Sequence, residues 1–301
     1  MNLNDTMEHI FTTAGIPCEK NVHLKYNTTM GIGGYAAWFV RPPTVESLLE
    51  LKIHLDTCQQ GYKIIGKGSN LIIEEKLLQQ VIISLENMSG ISLGDNMIVT
   101  AGAGAPLNRL CHFAAKNALA GLECAAGIPG TVGGAVAMNA GAFGWEIKDS
   151  LVSVIILNKN NQIDVYEKDA LHFQYRKSCF APEDIILTAE FQLQQKDAKS
   201  IQENIQLYQS RRFNNQPLTE KSSGCIFKNP PGNHAGKMIE EAGLKGYRKG
   251  GAVISEKHAN FIVNRFNASF EDVMQLIGQI KETVWKRFSV ELENEVIIWH
   301  S

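Results

Sequence analysis

Alternating and helix-spaced apolar positions divide the chain into short elements. Apolar alternation marks a strand at Ala36 to Val40, which Pro42 and Pro43 stop. A helix from Thr44 to about Cys58 follows, with Leu48, Leu49 and Leu51 turned to a core. The runs Tyr62 to Ile65 and Leu71 to Ile73 predict two strands joined by the turn GKGSN, Gly66 to Asn70; Val81 to Leu85 and Met97 to Thr100 predict two more. Beyond Pro106, residues Leu107, Leu110, Cys111, Ala114 and Ala115 keep helical spacing. Val152 to Leu157 and Ile163 to Tyr166, around the polar turn Asn158 to Gln162, predict a hairpin, and Ile185 to Leu193 another strand. A polar helix, about Ala198 to Arg212, then changes the character of the chain and marks a domain boundary. After it come a strand near Cys225 to Phe227, a helix from Ala235 to Ala242, strands at Gly251 to Ile254 and Asn260 to Val263, a long helix from Phe270 to Phe288 and a strand at Glu295 to Trp299. This β-α-β-β-α-β order makes one small α+β domain.

One stretch escapes both periods. Gly121 to Gly144 is glycine-dense, carries a single acid, Glu123, and reads as neither helix nor strand. Glycine reaches positive φ without steric cost, so clustered glycines let N–H groups converge on an anion and leave room for a flat ligand. With the Gly66 turn it makes a pair of phosphate-style loops, the signature of a dinucleotide held between two lobes. A literal G-x-G-x-x-A at Gly31, Gly33 and Ala36 is not a Rossmann fingerprint, because a strand and not a helix follows it. The Gly66 loop is likewise followed by a strand, so the anion sites are expected as backbone nests between strands.

Composition narrows the function classes. A chain of 301 residues, 44% hydrophobic and 20% charged, describes a globular protein of two or three domains. A net charge of -2 with scattered Lys and Arg gives no basic field for nucleic acid. The N-terminus lacks the features of a secretory signal and no apolar run approaches a membrane span, so a cytoplasmic protein without a membrane partner is expected. No seam for self-association stands out, and a monomer is expected. Six cysteines form no CxxC pair, so neither a metal site nor a disulfide framework is indicated, and most are expected to be buried.

Seven motifs in order carry a resemblance: Asn27-Thr28-Thr29 with Ile32-Gly33-Gly34, GKGSNL from Gly66, GIPGTVGGAVAMNAGAFG from Gly127 to Gly144, Tyr175-Arg176 with Ser178, GCIFKNP from Gly224 to Pro230, HANFIVN from His258 to Asn264, and Leu292 to Val296. Over nearly its whole length the chain resembles the UDP-N-acetylenolpyruvoylglucosamine reductases. The resemblance implies an α+β chain with a two-lobed FAD-binding fold of the vanillyl-alcohol-oxidase (PCMH) type, residues 1–82 and 83–212, and a smaller α+β substrate-binding domain, 213–301, whose last strand returns toward the flavin site. It implies non-covalent FAD, NADPH as reductant and an enolpyruvyl UDP-sugar as substrate. Cofactor contacts would fall on Gly66, Lys67, Gly68, Ser69, Asn70, Gly127, Ile128, Pro129, Gly130, Thr131, Gly133, Gly134 and Asn139. By motif alignment Arg176 and Glu295 would stabilise the reaction intermediate and Cys225 would deliver the proton; Tyr175, Lys228 and Asn229 would contact substrate, although Lys228 and Asn229 also suit the end of an edge strand.

Two positions depart from the family's usual pattern. Cys225 stands where most members carry serine, and Ile297 where they carry arginine. A thiol, with a reference pKa of about 8.5, is a far stronger acid than a hydroxyl. Two other readings remain open at this level: an oxygen-using FAD oxidase of the same fold, and a silent nucleotide-sugar binder.

Overall fold

A computed structural model describes residues 3–301 and groups the chain into two compact units. The first gathers the chain up to Asn21, Ala37–Gly66 and Gln79–Gln209; the second gathers Val22–Ala36, Lys67–Leu78 and Ser210–Ser301. The sequence-based division at 82 and 212 leaves Val22–Ala36 and Lys67–Leu78 in the first lobe, whereas their contacts tie them to the C-terminal residues. The reason lies in two buried cores. Met30, Ile32 and Ile72 pack with Ile226, Phe227, Ile262 and Val296, while Leu48, Val81, Leu110, Val154 and Phe191 belong to the other cluster.

The first unit is organised around a five-stranded antiparallel sheet. Its strands run in the order Ile163–Glu167, Leu151–Leu157, Ile185–Gln192, Ile98–Gly102 and Ile91–Leu93. The hairpin pairs Leu157 with Ile163 across the expected turn. Helix Val45–Thr57 is fixed at its start by a capping box, in which Thr44 Oγ1 accepts from Ser47 N–H and Ser47 Oγ accepts from Thr44 N–H. Lys52, though charged, is 1% exposed in that helix. Its ammonium spends its donors on Asp56 Oδ2, Lys159 O and Asn161 Oδ1, pinning the helix to the hairpin turn. Helix Leu3–Thr13 and strand Cys18–His23 carried no signal strong enough to be expected.

The second unit holds a four-stranded antiparallel sheet, ordered Ser222–Cys225, Phe261–Asn264, Ala252–Ile254 and Arg248–Lys249. Helices Ala235–Glu241 and Phe270–Phe288 complete it; Val273, Leu276, Ile277, Ile280 and Val284 of the latter keep the 3-4 spacing and are buried. The strand Ile297–Trp299 pairs in parallel with Leu71–Ile73 of the same unit. The expected element order holds, with the short strand Arg248–Lys249 added.

The cysteines depart from expectation. Cys111 is buried, Cys124 and Cys225 are half-buried, and Cys18, Cys58 and Cys179 are exposed. Burial pushes the Cys111 thiol up to about 12, which keeps it neutral.

Candidate active site

The residues around Cys225 are set by backbone pairing. Ser222 faces Val263 and Cys225 faces Phe261, so the register slips between them. Gly224 takes φ +75°, a value glycine adopts freely, and a Cβ built there would meet nothing within 4 Å. The glycine is therefore required by conformation and not by space; the resulting bulge re-aims Cys225 out of the regular pleat. Beyond the cysteine, Ile226 N–H donates to Asn260 O. Asn260, 4% exposed, holds Phe227 at both polar atoms: its Oδ1 accepts from Phe227 N–H at 3.0 Å and its Nδ2 donates to Phe227 O at 2.8 Å. The side chain of a residue in the HANFIVN motif thus substitutes for a strand partner.

The same segment brings Glu295 alongside Cys225. Glu295 N–H donates to Ile226 O at 2.8 Å, Lys228 N–H donates to Glu293 O at 2.9 Å, and Phe227 bridges to Asn294 in antiparallel sense. The Gly66–Asn70 loop joins this unit through its last four residues. Asn70 Nδ2 donates to Glu295 O at 3.0 Å, and Asn70 O accepts from Ile297 N–H. Thr29 of the Asn27-Thr28-Thr29 motif donates through Oγ1 to Ser222 O at 2.7 Å, and its N–H donates to Gly68 O. Ser223 Oγ donates to Leu71 O. Four motifs far apart in sequence therefore meet in one hydrogen-bonded cluster carrying a thiol and a carboxylate.

Gly68 has φ +60°, and a Cβ there would stand 2.1 Å from Asn27 O. Glycine is therefore required here by the close approach of two chain segments. Gly66, in the other unit, is equally constrained, since its Cβ would lie 2.7 Å from Thr131 Oγ1. The two glycine loops meet there. The longer stretch is not irregular throughout: Val132–Ala137 is a helix capped by Thr131, whose Oγ1 accepts from Gly134 N–H. Val132 N–H and Gly133 N–H donate to Ala105 O and Ala103 O. Those amides, with that of Gly134, are spent inside the protein. They shape the turn, so the amides of Gly133 and Gly134 do not form the expected anion nest.

Arg176 is presented differently. Gln174 and Lys177 exchange backbone hydrogen bonds, leaving Tyr175 and Arg176 at the tip of a tight turn with Arg176 at φ +54°. The guanidinium donates to Gly141 O at 3.0 Å, lies 3.7 Å from Glu146 and stands over the Tyr175 ring. Asn139 fixes this turn. It is 0% exposed, and its amide donates to Glu146 Oε2 and Gln174 O while Oδ1 accepts from Lys148 N–H. With no exposed surface, Asn139 positions the Arg176 turn and offers no group to a cofactor, which corrects its assignment as a ligand contact.

Lys228 is paired with Glu293 at 2.5 Å, and Asn229 Oδ1 accepts from Ala235 N–H at the start of helix Ala235–Glu241. The Asn229 carbonyl is thus spent on the fold. Burial depresses the His258 pKa and favours the neutral ring, whose Nδ1 accepts from Asn260 N–H. Arg212 escaped the sequence reading. It lies in the last turn of helix Ala198–Asn215, its Nε is buried without a partner, and burial lowers its pKa. Its only signal was a basic residue just before Phe213-Asn214-Asn215-Gln216-Pro217. Among the described residues no three of His, Cys, Asp and Glu gather into a group that could hold a metal ion.

Comparison with known proteins decides what this arrangement belongs to. Residues 216–299 match the C-terminal domain of UDP-N-acetylenolpyruvoylglucosamine reductase, and residues 36–163 match an FAD binding domain. The reductase of Bacillus subtilis strain 168 is 40% identical over 281 residues, covering 92% of each chain. The chain belongs to the UDP-N-acetylenolpyruvoylglucosamine reductase family. The family's reductase from a Thermotoga species is 40% identical across 97% of this chain and 98% of its own. A crystal structure of the UDP-N-acetylenolpyruvylglucosamine reductase from Thermus caldophilus superposes with a TM-score of 0.82 at 35% identity, over 95% of this chain and 100% of that one. A glucose dehydrogenase, Phl p 4.0202, shares the fold alone, with a TM-score of 0.50 and 14% identity over 64% of this chain and 44% of its own. The α+β chain thus carries the PCMH-type FAD-binding fold.

The residues present suit FAD. From Cys124 to Trp145 the chain carries no charged side chain and five glycines precede Phe143, so its surface is poor in side chains and neutral. Gly144 has φ +82° and a Cβ there would meet nothing within 4 Å. Such a wall takes a broad planar group, and Thr131 beside Gly66 adds a hydroxyl where the two loops meet.

Proposed function

We propose that Cys225 is the proton donor, Arg176 the carboxylate clamp and Glu295 the polarising carboxylate of an enolpyruvyl reductase. As a member of its family the chain is an FAD-dependent, NADPH-consuming oxidoreductase that converts UDP-N-acetylglucosamine enolpyruvate to UDP-N-acetylmuramate, a step of peptidoglycan precursor synthesis. We place it in the cytoplasm as a monomer; no helix among the described residues is long and apolar enough to cross a membrane.

Bound FAD, reduced by NADPH, supplies the hydride that the methylene carbon of the enolpyruvyl ether accepts. The α-carbon then carries negative charge shared with its carboxylate. Arg176, oriented by Gly141 O and Glu146, offers a planar pair of donors to that carboxylate. Cys225 gives its proton to the α-carbon, completing the methyl and methine of the lactyl ether. A carboxylate nearby favours a thiol's neutral, donating form, and the backbone pairing of Glu295 with Ile226 supports that role. Gly66, Lys67, Gly68, Ser69 and Asn70, with Gly127, Ile128, Pro129 and Gly130, are the proposed cofactor-binding loops, and Tyr175 and Lys228 the proposed substrate contacts. The division into lobes 1–82 and 83–212 and a substrate domain 213–301 remains our functional description of the chain.

The observation that carries this reading is the bulge at Gly224, which turns one thiol toward the segment of Glu295. Purified protein should be yellow and should oxidise NADPH in proportion to added enolpyruvyl sugar nucleotide. Rapid reoxidation of the reduced protein by O2, with no response to that substrate, would replace the reading with an oxidase; binding without NADPH consumption would leave only a nucleotide-sugar binder.

A further inference from the structure

His258 opens the HANFIVN motif and is held on three sides. Its Nδ1 accepts from Asn260 N–H at 3.3 Å, its ring stands edge-on to Phe261 at 4.9 Å, and a Cβ built on Gly236 would lie 3.2 Å from its Cε1. The ring therefore rests against the start of helix Ala235–Glu241. Both motif neighbours hold the strand of the cysteine. Phe261 is the register partner of Cys225; Asn260 O accepts from Ile226 N–H, and the Asn260 amide takes both polar groups of the Phe227 backbone. An acceptor at Nδ1 leaves the proton of a neutral imidazole on Nε2. Protonating Nδ1 would set two N–H groups against each other beside Asn260, which is only 4% exposed.

We propose that His258, through a neutral Nδ1, is a positioning residue that holds the strand of Cys225 in register for proton delivery. The inference rests on Cys225 as the donor to the α-carbon. His258 acts through Asn260 and Phe261 and needs no contact with substrate. Burial is the main cause that lowers its pKa from the ordinary 6.5. Lys245 also opposes the proton and Glu240 favours it; the two pair at 2.7 Å, so their effects on the ring are opposed. Lys237 of the same helix is paired with Glu241, Glu256 lies against Gly246, and Lys257 is spent on Phe213 O. A histidine so depressed disfavours the folded arrangement as pH drops through 6.5 toward its own pKa. The strand is thus firmest above 6.5 and loosens in acid.

The test uses FAD-loaded protein and separates two stopped-flow rates: reduction by NADPH, which does not use Cys225, and reoxidation by the enolpyruvyl sugar nucleotide, which does. His258→Asn keeps an acceptor where Nδ1 stood but takes no proton; His258→Phe keeps a ring and has no acceptor. At about pH 8 reoxidation should slow by roughly three- to tenfold in His258→Phe, the rate equivalent of one hydrogen bond, and stay within about twofold in His258→Asn. Reduction by NADPH should not change in either. Below pH 6.5 the parent should lose reoxidation rate in step with protonation of His258, followed by nitrogen NMR, while His258→Asn keeps a flatter limb. In a Cys225→Ala background His258→Phe should slow reoxidation no further. Equal slowing of both rates with a lower melting temperature would assign His258 to the fold alone, and an unchanged rate in His258→Phe would remove it from the arrangement. Undiminished slowing in the Cys225→Ala background would mean that it acts elsewhere. Should His258→Phe fold poorly, the parent decides: a His258 titration displaced from the acid limb by more than about one pH unit would overturn the proposal. Full turnover in Cys225→Ala by itself would instead overturn the donor, so the two failures are distinguishable.

Discussion

Cys225 and Arg176 are presented by opposite means. The thiol sits on a bulged strand whose neighbours are fixed by backbone hydrogen bonds to Asn260 and Glu295; the guanidinium sits on the tip of a turn, in a left-handed conformation, held by the side chains of Glu146 and Asn139. A backbone ladder survives most substitutions because every residue but proline supplies the same N–H and C=O. A tip closed by one backbone pair and then oriented by side chains depends on the identity of those side chains.

Substitutions at the two places should separate these means. The largest effect is expected from Cys225→Ala, which removes the proton donor and leaves the ladder intact. Turnover should fall by roughly 10² to 10⁴, the range for a positioned general acid, with flavin absorbance and reduction by NADPH unchanged. Cys225→Ser should keep appreciable activity. Full turnover in the alanine variant would remove the thiol from the chemistry.

Asn139→Ala comes next. It removes bonds to Gln174 O, Glu146 and Lys148 N–H, of which Gln174 O keeps Lys177 N–H and Glu146 keeps Lys148, so a total loss of about 1 to 3 kcal/mol is expected, seen as a lower midpoint in urea unfolding. Turnover should drop with it as the Arg176 turn loosens. A variant as stable and active as the parent would show that the tip needs no such support.

Asn70→Ala removes one bond to Glu295 O from a segment that keeps its backbone bonds to Ile226 and Asn70, so a change of about 0.5 to 1.5 kcal/mol is expected, less than about tenfold in kcat/KM. A loss as large as that of Cys225→Ala would mean that the backbone bonds alone do not hold the Glu295 segment.

The smallest effect concerns pH. Lys76 and the Ser301 backbone and hydroxyl hold the Glu74 carboxyl down at about 2. A carboxyl depressed in the folded state contributes stability above its ordinary pKa, 4.5, and loses it as pH falls toward 2. Glu74→Gln should flatten that part of the melting profile. An identical slope in both proteins would dismiss the contribution.

Elements built on local pattern were legible in the sequence. The strands Tyr62–Ile65 and Leu71–Ile73 and the helix Phe270–Phe288 have the expected bounds because their apolar spacing alone specifies a face. Helix Val132–Ala137 was not, since Gly133 and Gly134 argue against helix and the Thr131 cap and the carbonyls of Ala103 and Ala105 supply what propensity lacks. The motif order pointed to Arg176, Cys225 and Glu295. It misjudged Asn139, because a polar residue in a glycine run resembles a ligand contact when its burial is not visible. It passed over Arg212, because the burial of its Nε is set by the fold. The grouping of Val22–Ala36 and Lys67–Leu78 with the C-terminal residues was hidden for the same reason.

Asn70 and Glu295 are 225 positions apart in sequence, and the strand Ile297–Trp299 is the partner of Leu71–Ile73, which is buried along its length. A nascent chain must therefore grow past Trp299 before Leu71–Ile73 finds its neighbour. Until then the chain carries an unpaired apolar edge, and removing Ile297–Trp299 would leave that edge open for good.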